Sequence, residues 1–487
     1  MTPAGTPRKY LSTSSEWTIE RISRFEREIG RIAKNYELDT YPNQIEIITA
    51  EQMLDAYSSI GMPVNYSHWS FGKKFMDAEK DYRKGATGLA YEMVINSNPC
   101  ISYLLEENTM VTQAVVIAHA CYGHNAFFKN NYLFKLWTRP EDIIDYFLFA
   151  KNFIHSCEEK HGASKVEVLL DALHALMNYG VDKYRRPAPL SLDKEKAKQR
   201  EREAYLQSQV NELWRVTLRG KNKNVNKFEQ YPKEPQENIL YFIEKHAPLL
   251  EPWQREIVRI VRKIAQYFYP QRQTKMMNEG FATFWHYEII QELYNEKKVN
   301  DQFMMEFLQL HTNVILQLPF YHPMYSGINP YTLGFKIFSH IKKTNKNWRE
   351  AIDAAMRNYK DESFILQYLS PDIIRDLKLF SVLDNEKEAD LIIPFIHDDD
   401  GYEAIRQTLS KQYNLSQIEP DIQVVKVNQR GDRSLTLRYI PADNRPLGEE
   451  SLDVLKHLHV LWGFPVFLET VDDSLNVVST IQWPQKS

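Results

Sequence analysis

Apolar positions recur at helical spacing along most of the first four-fifths of the chain. From Trp17 to Tyr36 they fall at Ile19, Ile22, Phe25, Ile29 and Ile32, which predicts a helix with one buried stripe and a charged outer face. Asn108 to Cys121 is apolar on nearly every side and predicts a buried helix. In Glu167–Asn178 the polar residues Glu167, Asp171, His174 and Asn178 share one stripe between apolar neighbours. Ile257–Phe268 is amphipathic and stops, on this pattern, at Pro270. Met277–Tyr287 is apolar and aromatic except for a few positions, among them Glu279 and His286, close to two helical turns apart. Further helices are predicted over 301–318, 332–341, 348–359 and 361–380. Period-two alternation is confined to short runs, at 44–49 and 88–96.

The texture changes near Asp384. An extended run (Leu391–His397), a helix (Tyr402–Tyr413), two strands (Ile422–Asn428 and Ser434–Ile440), a helix (Ser451–Trp462) and a strand (Val466–Val471) follow in order. That β-α-β-β-α-β series predicts a ferredoxin-like split unit, with 477–482 as an added edge strand. The expected fold class is therefore mainly α with small β elements (α+β). A helical core domain covers 1–384 and a ferredoxin-like domain covers 385–487. Within the first, residues 188–237 are dense in charge and then rich in polar residues and proline, and predict a surface excursion or a partner-docking arm.

Composition narrows the function classes. The 487 residues carry 64 acidic and 60 basic side chains, a net charge of −4, which argues against a nucleic-acid binder. Three cysteines (Cys100, Cys121, Cys157) form neither a disulfide framework nor a metal knuckle. The N-terminal stretch lacks the apolar segment of a signal peptide, and no run is long enough to span a bilayer. A cytoplasmic protein is expected.

The candidate chemistry sits in three stretches. His119 and His124 end the buried helix. Five residues on a regular helix turn about 140° from the start, so the two imidazoles meet only if the helix bulges or ends at Gly123. Asp171-x-x-His174 has the carboxylate-x-x-His spacing of di-iron helical bundles, with Glu167 one turn earlier as an orienter or base. A buried hydrogen-bonded network joining helices is the alternative. Asn278-Glu279-Gly280-Phe281-Ala282 resembles a phrase of gluzincin aminopeptidases, which implies a zincin-like metal-site domain with Glu279 as the third zinc ligand. In those enzymes the paired histidines flank a general-base Glu. Here the run is His119-Ala-Cys-Tyr-Gly-His124, so Glu167, Asp171 or His286 would have to act as base. No glycine-rich phosphate loop and no Gly-x-Ser-x-Gly elbow is present.

The phrases Tyr41-Pro-Asn-Gln, Ile117-Ala-His-Ala-Cys-Tyr-Gly-His-Asn125, His174-Ala-Leu-Met-Asn-Tyr-Gly-Val-Asp-Lys-Tyr184, Met277–Tyr287, Gly327-Ile-Asn-Pro-Tyr-Thr-Leu-Gly-Phe335 and Asp361-Glu-Ser-Phe together resemble the stage V sporulation protein R (SpoVR) family, proteobacterial branch. The resemblance implies a link to spore cortex and cell-wall formation, or to stress and stationary-phase physiology. It also implies a PrkA-type serine protein kinase and a von Willebrand factor A-type protein as partners. The expected metal ligands are His119, His124, Glu279 and His174, with zinc as the cofactor and iron as the alternative. Glu167, Asp171 and His286 are the expected catalytic groups. The expected reaction is hydrolysis of an amide bond in a peptide or cell-wall precursor. The alternatives are a non-catalytic adaptor for the kinase and a di-iron redox protein.

Overall fold

The structure is a computed structural model that describes residues 10–59, 61–83, 92–183, 200, 231–319, 322–379, 398–428, 431–441, 445–448, 450–472 and 474–485. The predicted extended run Leu391–His397 and most of the charged excursion lie outside these residues. The chain divides into two compact units, one formed by 1–151 with 270–414 and the other by 152–269 with 415–487.

The first unit is mainly helical. Its opening helix, Ile19–Asn35, starts where Thr18 caps the Arg21 N–H; it buries Ile22, Phe25, Ile29 and Ile32 as its periodicity predicts, while Ile19, expected in the same stripe, is exposed in its first turn. A small sheet follows with strand order β1-β3-β2, made of β1 (Asn43–Ile48), β2 (Glu92–Ile95) and β3 (Cys100–Leu105). β1 runs parallel to β3 and β2 antiparallel to it. β2 covers the end of the strand predicted at 88–96, whose residues before Glu92 are not described.

The helix Lys275–Asn295 lies in the middle of this unit, with thirteen of its residues buried. Phe281, Phe284 and Trp285 are almost fully removed from water, each contributing about 1.5–3 kcal/mol. Its first turn has no side-chain cap of its own. Asp361, from a distant helix, fills that role and accepts the Met276 and Met277 N–H groups at 2.9 and 2.8 Å. Small residues set its neighbours. A Cβ on Gly280 would fall 2.3 Å from Gly334 Cα, so the helix Pro330–Thr344 crosses here only because both positions are glycine. The helix Asp399–Tyr413, expected in the C-terminal domain, instead buries Tyr402, Ile405 and Leu409 in the core of the first unit.

The helix that leads out of the second unit does not stop at Pro270, where the pattern predicts its end. The helix that starts at Pro252 continues to Gln273, and the carbonyl of Pro270 accepts the Thr274 hydroxyl at 2.7 Å. The sheet has order β4-β5-β6-β7, with β4 at Asp421–Val427, β5 at Leu435–Ile440, β6 at Val466–Val471 and β7 at Val477–Trp483. β5 and β6 are parallel, joined by the helix Ser451–Trp462, and hydrogen-bonded directly to each other. A ferredoxin-like split unit holds another strand between such a pair, so the ferredoxin-like expectation does not describe this sheet. The α+β class does describe the chain. Gly463 ends the joining helix at φ 83°, a conformation glycine adopts without strain.

Among the described residues no helix is long and apolar enough to cross a membrane.

Candidate metal centre

The buried helix that begins at Met110 does not stay α-helical. After Val116 it passes into a π-helical segment, Ile117–His124, before resuming as an α-helix at Asn125. Hydrogen bonds from i to i+5 stack residues five apart, so His119 and His124 share a face. Their ring centroids are 4.6 Å apart and the rings are nearly perpendicular. This is the bulge that their spacing demanded. Gly123 allows it to sit close to the Lys275–Asn295 helix, because a Cβ there would fall 2.5 Å from Ala282 Cα.

Two carboxylates face the imidazoles. Glu279 Oε2 lies 3.6 Å from His119 Nε2 and 3.5 Å from His124 Nε2. Glu92, at the start of β2, places Oε1 at 3.3 and 4.0 Å from the same two atoms. Four ligands about 2.0–2.1 Å from one zinc ion stand about 3.3 Å from one another, so these separations suit the edges of one coordination shell. Among the described residues, Glu92, His119 and His124 offer ligand atoms that all lie within 4.8 Å of one another. The Oε2 atoms of Glu92 and Glu279 are buried without a hydrogen-bond partner. Glu279 Oε2, left so beside two imidazole nitrogens, fits a cation between them.

The far side of each imidazole is tied. His124 Nδ1 lies 2.9 Å from Asn278 Oδ1, an acceptor, so Nδ1 carries the proton and Nε2 is bare toward the carboxylates. His119 Nδ1 lies 3.0 Å from His286 Nδ1, and His286 Nε2 lies 2.9 Å from His311 Nδ1. Asn278, Glu279 and His286 all belong to the Lys275–Asn295 helix, which thus supplies one of the two carboxylates and the partner of each imidazole.

Burial sets the charge states. It pushes the Glu92 carboxyl up to about 7, with His119 opposing and Glu279 adding to the rise. It pulls Glu279 the same way, but His124, His119 and the Tyr331 hydroxyl outweigh it and hold that carboxyl below its ordinary value. His124 is driven down to about 4 by burial. For His119 burial is outweighed by Glu92 and Glu279, and its value rises. Burial takes His286 well below its ordinary value and His311 to about 4, so both are neutral.

The structure therefore brings His119, His124, Glu279 and His286 together in the first unit. Glu167, Asp171 and His174 belong to the second unit, on the helix Ala163–Ala175. There Glu167 is exposed and the other two are half-buried. The apolar flanks of that stripe, Val166, Leu169, Leu170 and Leu173, form the buried face, and the stripe itself is the outer one. Sequence reasoning missed Glu92, Asn278, His311 and Tyr331. Asn278 and Tyr331 stand inside phrases already singled out, whereas Glu92 is a lone acid at the edge of a short strand.

Comparison with known proteins adds three findings. A family model described as SpoVR like protein matches residues 16–418, and one described as SpoVR-like C-terminal domain matches residues 420–473. Over 476 residues, 94% of this chain and 93% of the relative, the sequence is 58% identical to a protein of Escherichia coli (strain K12) described as uncharacterized protein YcgB. No solved structure matches.

Proposed function

Because the chain belongs to the SpoVR family, we propose a function for it from the centre its residues build: a cytoplasmic, zinc-dependent hydrolase of amide bonds. The observation that carries this reading is the convergence of two imidazole Nε2 atoms and two carboxylates in a buried site, with the imidazoles oriented from behind. His119, His124 and Glu279 would hold the ion. When bound, a zinc ion supplies Lewis-acid polarisation of a carbonyl and makes a water acidic near neutral pH.

The remaining roles fall to the protein. Glu279 is the carboxylate that stays ionised, which suits a ligand. Glu92, raised to about 7, is the carboxyl able to take a proton and return it to a leaving amine. It supplies the general base that the His119–His124 run lacks. His286 lies behind His119 and acts through it. Amide bonds of a peptide or cell-wall precursor are the proposed substrates, in keeping with the family's sporulation name.

A second reading has its own observation. Glu92 is near enough to both imidazoles to be a fourth ligand, and a closed four-ligand site is structural. The protein would then be an adaptor for a PrkA-type serine kinase and a von Willebrand factor A-type protein. Elemental analysis of purified wild type, Glu279→Gln and Glu92→Gln, alongside amidase and peptidase screens, separates the two. Hydrolysis predicts about one zinc per chain, lost in Glu279→Gln, and retained without activity in Glu92→Gln. Loss of zinc in both variants, with no hydrolysis by wild type, favours the adaptor. Iron in place of zinc would move the reading toward redox chemistry.

A further inference from the structure

Three imidazoles stand in line behind the centre. His119 Nδ1 faces His286 Nδ1 at 3.0 Å, and His286 Nε2 faces His311 Nδ1 at 2.9 Å. Each short contact joins two nitrogens, so in each one nitrogen must carry a proton and the other must be bare. The line therefore has two senses, and choosing the sense at one end fixes it at the other. A neutral imidazole has a single ring proton to place, so a neutral His286 or His311 cannot donate on both sides at once.

We propose that His286 and His311 are positioning residues that run this line outward, from His119 toward His311, and so keep His119 Nε2 bare for a metal ion. The inference rests on the metal reading of the site. Ligation through Nε2 leaves the His119 proton on Nδ1, where it is donated to His286 Nδ1. His286 must then hold its own proton on Nε2 and donate it to His311 Nδ1. The opposite sense would put a proton on His119 Nε2, directed at Glu92 and Glu279, and would block ligation.

The surroundings hold the rings in place for this. His286 is on the same helix as Glu279, near two turns away, and 2% exposed. His311 projects from the helix Asp301–Val314 and is 5% exposed, packed among the rings of Tyr287, Phe307 and Phe335 at 4.9–5.8 Å. A buried ring nitrogen pair of this kind is costly to leave unmatched. Its geometry parallels the Asn278 contact on the other imidazole, where an amide oxygen does the same work in one step. Sequence spacing gives no hint of His311, since it lies on a separate helix.

The test uses the full chain labelled with ¹⁵N-histidine, whose long-range couplings report which ring nitrogen carries the proton. Signals are assigned with His286→Phe and His311→Phe, and zinc alone is the probe. In the zinc-loaded protein His286 and His311 should both carry the proton on Nε2. Zinc affinity should fall about 10–100-fold in His286→Phe. His311→Phe, which leaves the rest of the line intact but removes its last acceptor, should weaken zinc and mix the His286 tautomers. His311→Gln, which restores an acceptor oxygen, should recover both. A merely structural His311 would lower stability without altering the His286 tautomer. If zinc binds while His286 carries its proton on Nδ1, this inference is overturned and the metal site stands. If zinc leaves the His119 and His124 signals unmoved, the metal reading fails and the inference fails with it.

Discussion

Asn278 Oδ1 lies 2.9 Å from His124 Nδ1, one residue before the carboxylate that faces the Nε2 of the same imidazole. A single helical turn thus holds both sides of one ring. Asn278→Leu, which removes the acceptor but keeps the volume, should weaken zinc about 10–100-fold by chelator competition. Asn278→Asp keeps an acceptor oxygen and should retain binding.

Zinc stabilisation should grow with pH. Burial raises Glu92 to about 7 in the metal-free fold, above the ordinary 4.5, so that fold loses stability as pH rises from about 4.5 through about 7. Zinc reverses the cost, because it favours the ionised form. At one fixed zinc concentration the stabilisation on adding zinc should be small at pH 5.5 and larger at pH 8, where a hundredfold excess over Kd gives about 2.7 kcal/mol. Glu92→Gln should flatten the pH dependence of the metal-free melting temperature.

The glycine contacts predict a coupled loss of stability and metal. Gly280→Ala drives a Cβ to 2.3 Å from Gly334 Cα, and Gly123→Ala to 2.5 Å from Ala282 Cα. Neither neighbour is the flexible end of a side chain. Each substitution should cost about 1–3 kcal/mol in urea unfolding. Because Gly280 follows Glu279 and Gly123 precedes His124, each should also weaken zinc. A comparably destabilising core change outside the centre, such as Ile374→Ala, should not.

The second unit has its own charged focus, which offers a control free of the metal. Glu244, 1% exposed, accepts hydrogen bonds from Lys245, Arg259 and Arg262. Burial pulls its carboxyl up, but Arg262, Lys245 and Arg259 prevail and hold it below 4.5. A depressed carboxyl stabilises the fold above its unfolded value and stops doing so as pH falls through its folded one. Glu244→Gln should therefore cost about 3 kcal/mol at pH 7 and progressively less as pH falls below 4.5 and through the carboxyl's lowered folded value, with zinc binding unchanged. Denaturant unfolding across that range, followed on the second unit, is the measurement.

Much of the first unit was legible because its helices bury regular stripes, as Ile22, Phe25, Ile29 and Ile32 do. His119, His124 and Glu279 stood out as polar groups inside apolar runs. Glu92 did not, since a carboxylate at a strand end has no spacing that ties it to a helix far along the chain. The stripe Glu167–His174 misled for a related reason. A helix with one apolar side and a few apolar residues on the other reads as buried all round, yet Val168 on that outer side is 53% exposed. The order of elements in the C-terminal sheet was largely readable, but which strands pair was not. Whether β5 meets β6 directly depends on a long-range contact that local pattern does not encode.

The π-helical segment works as a phase absorber. Compared with a regular helix it holds one residue more between its two histidines, and its wide turn takes up the rotation of about 100° that this residue would otherwise add downstream. Phe127 and Phe128 are buried beyond it, in the same core as Ile117 and Ala118 before it. Deleting one residue between the histidines would give the ordinary four-residue helical spacing and leave both imidazoles on one face. Phe127 and Phe128, three and four residues beyond the second histidine on a regular helix, would keep the partners they now meet. The wide turn thus absorbs one residue without disturbing the register on either side, and deleting that residue should be tolerated far better than deleting one elsewhere in the helix.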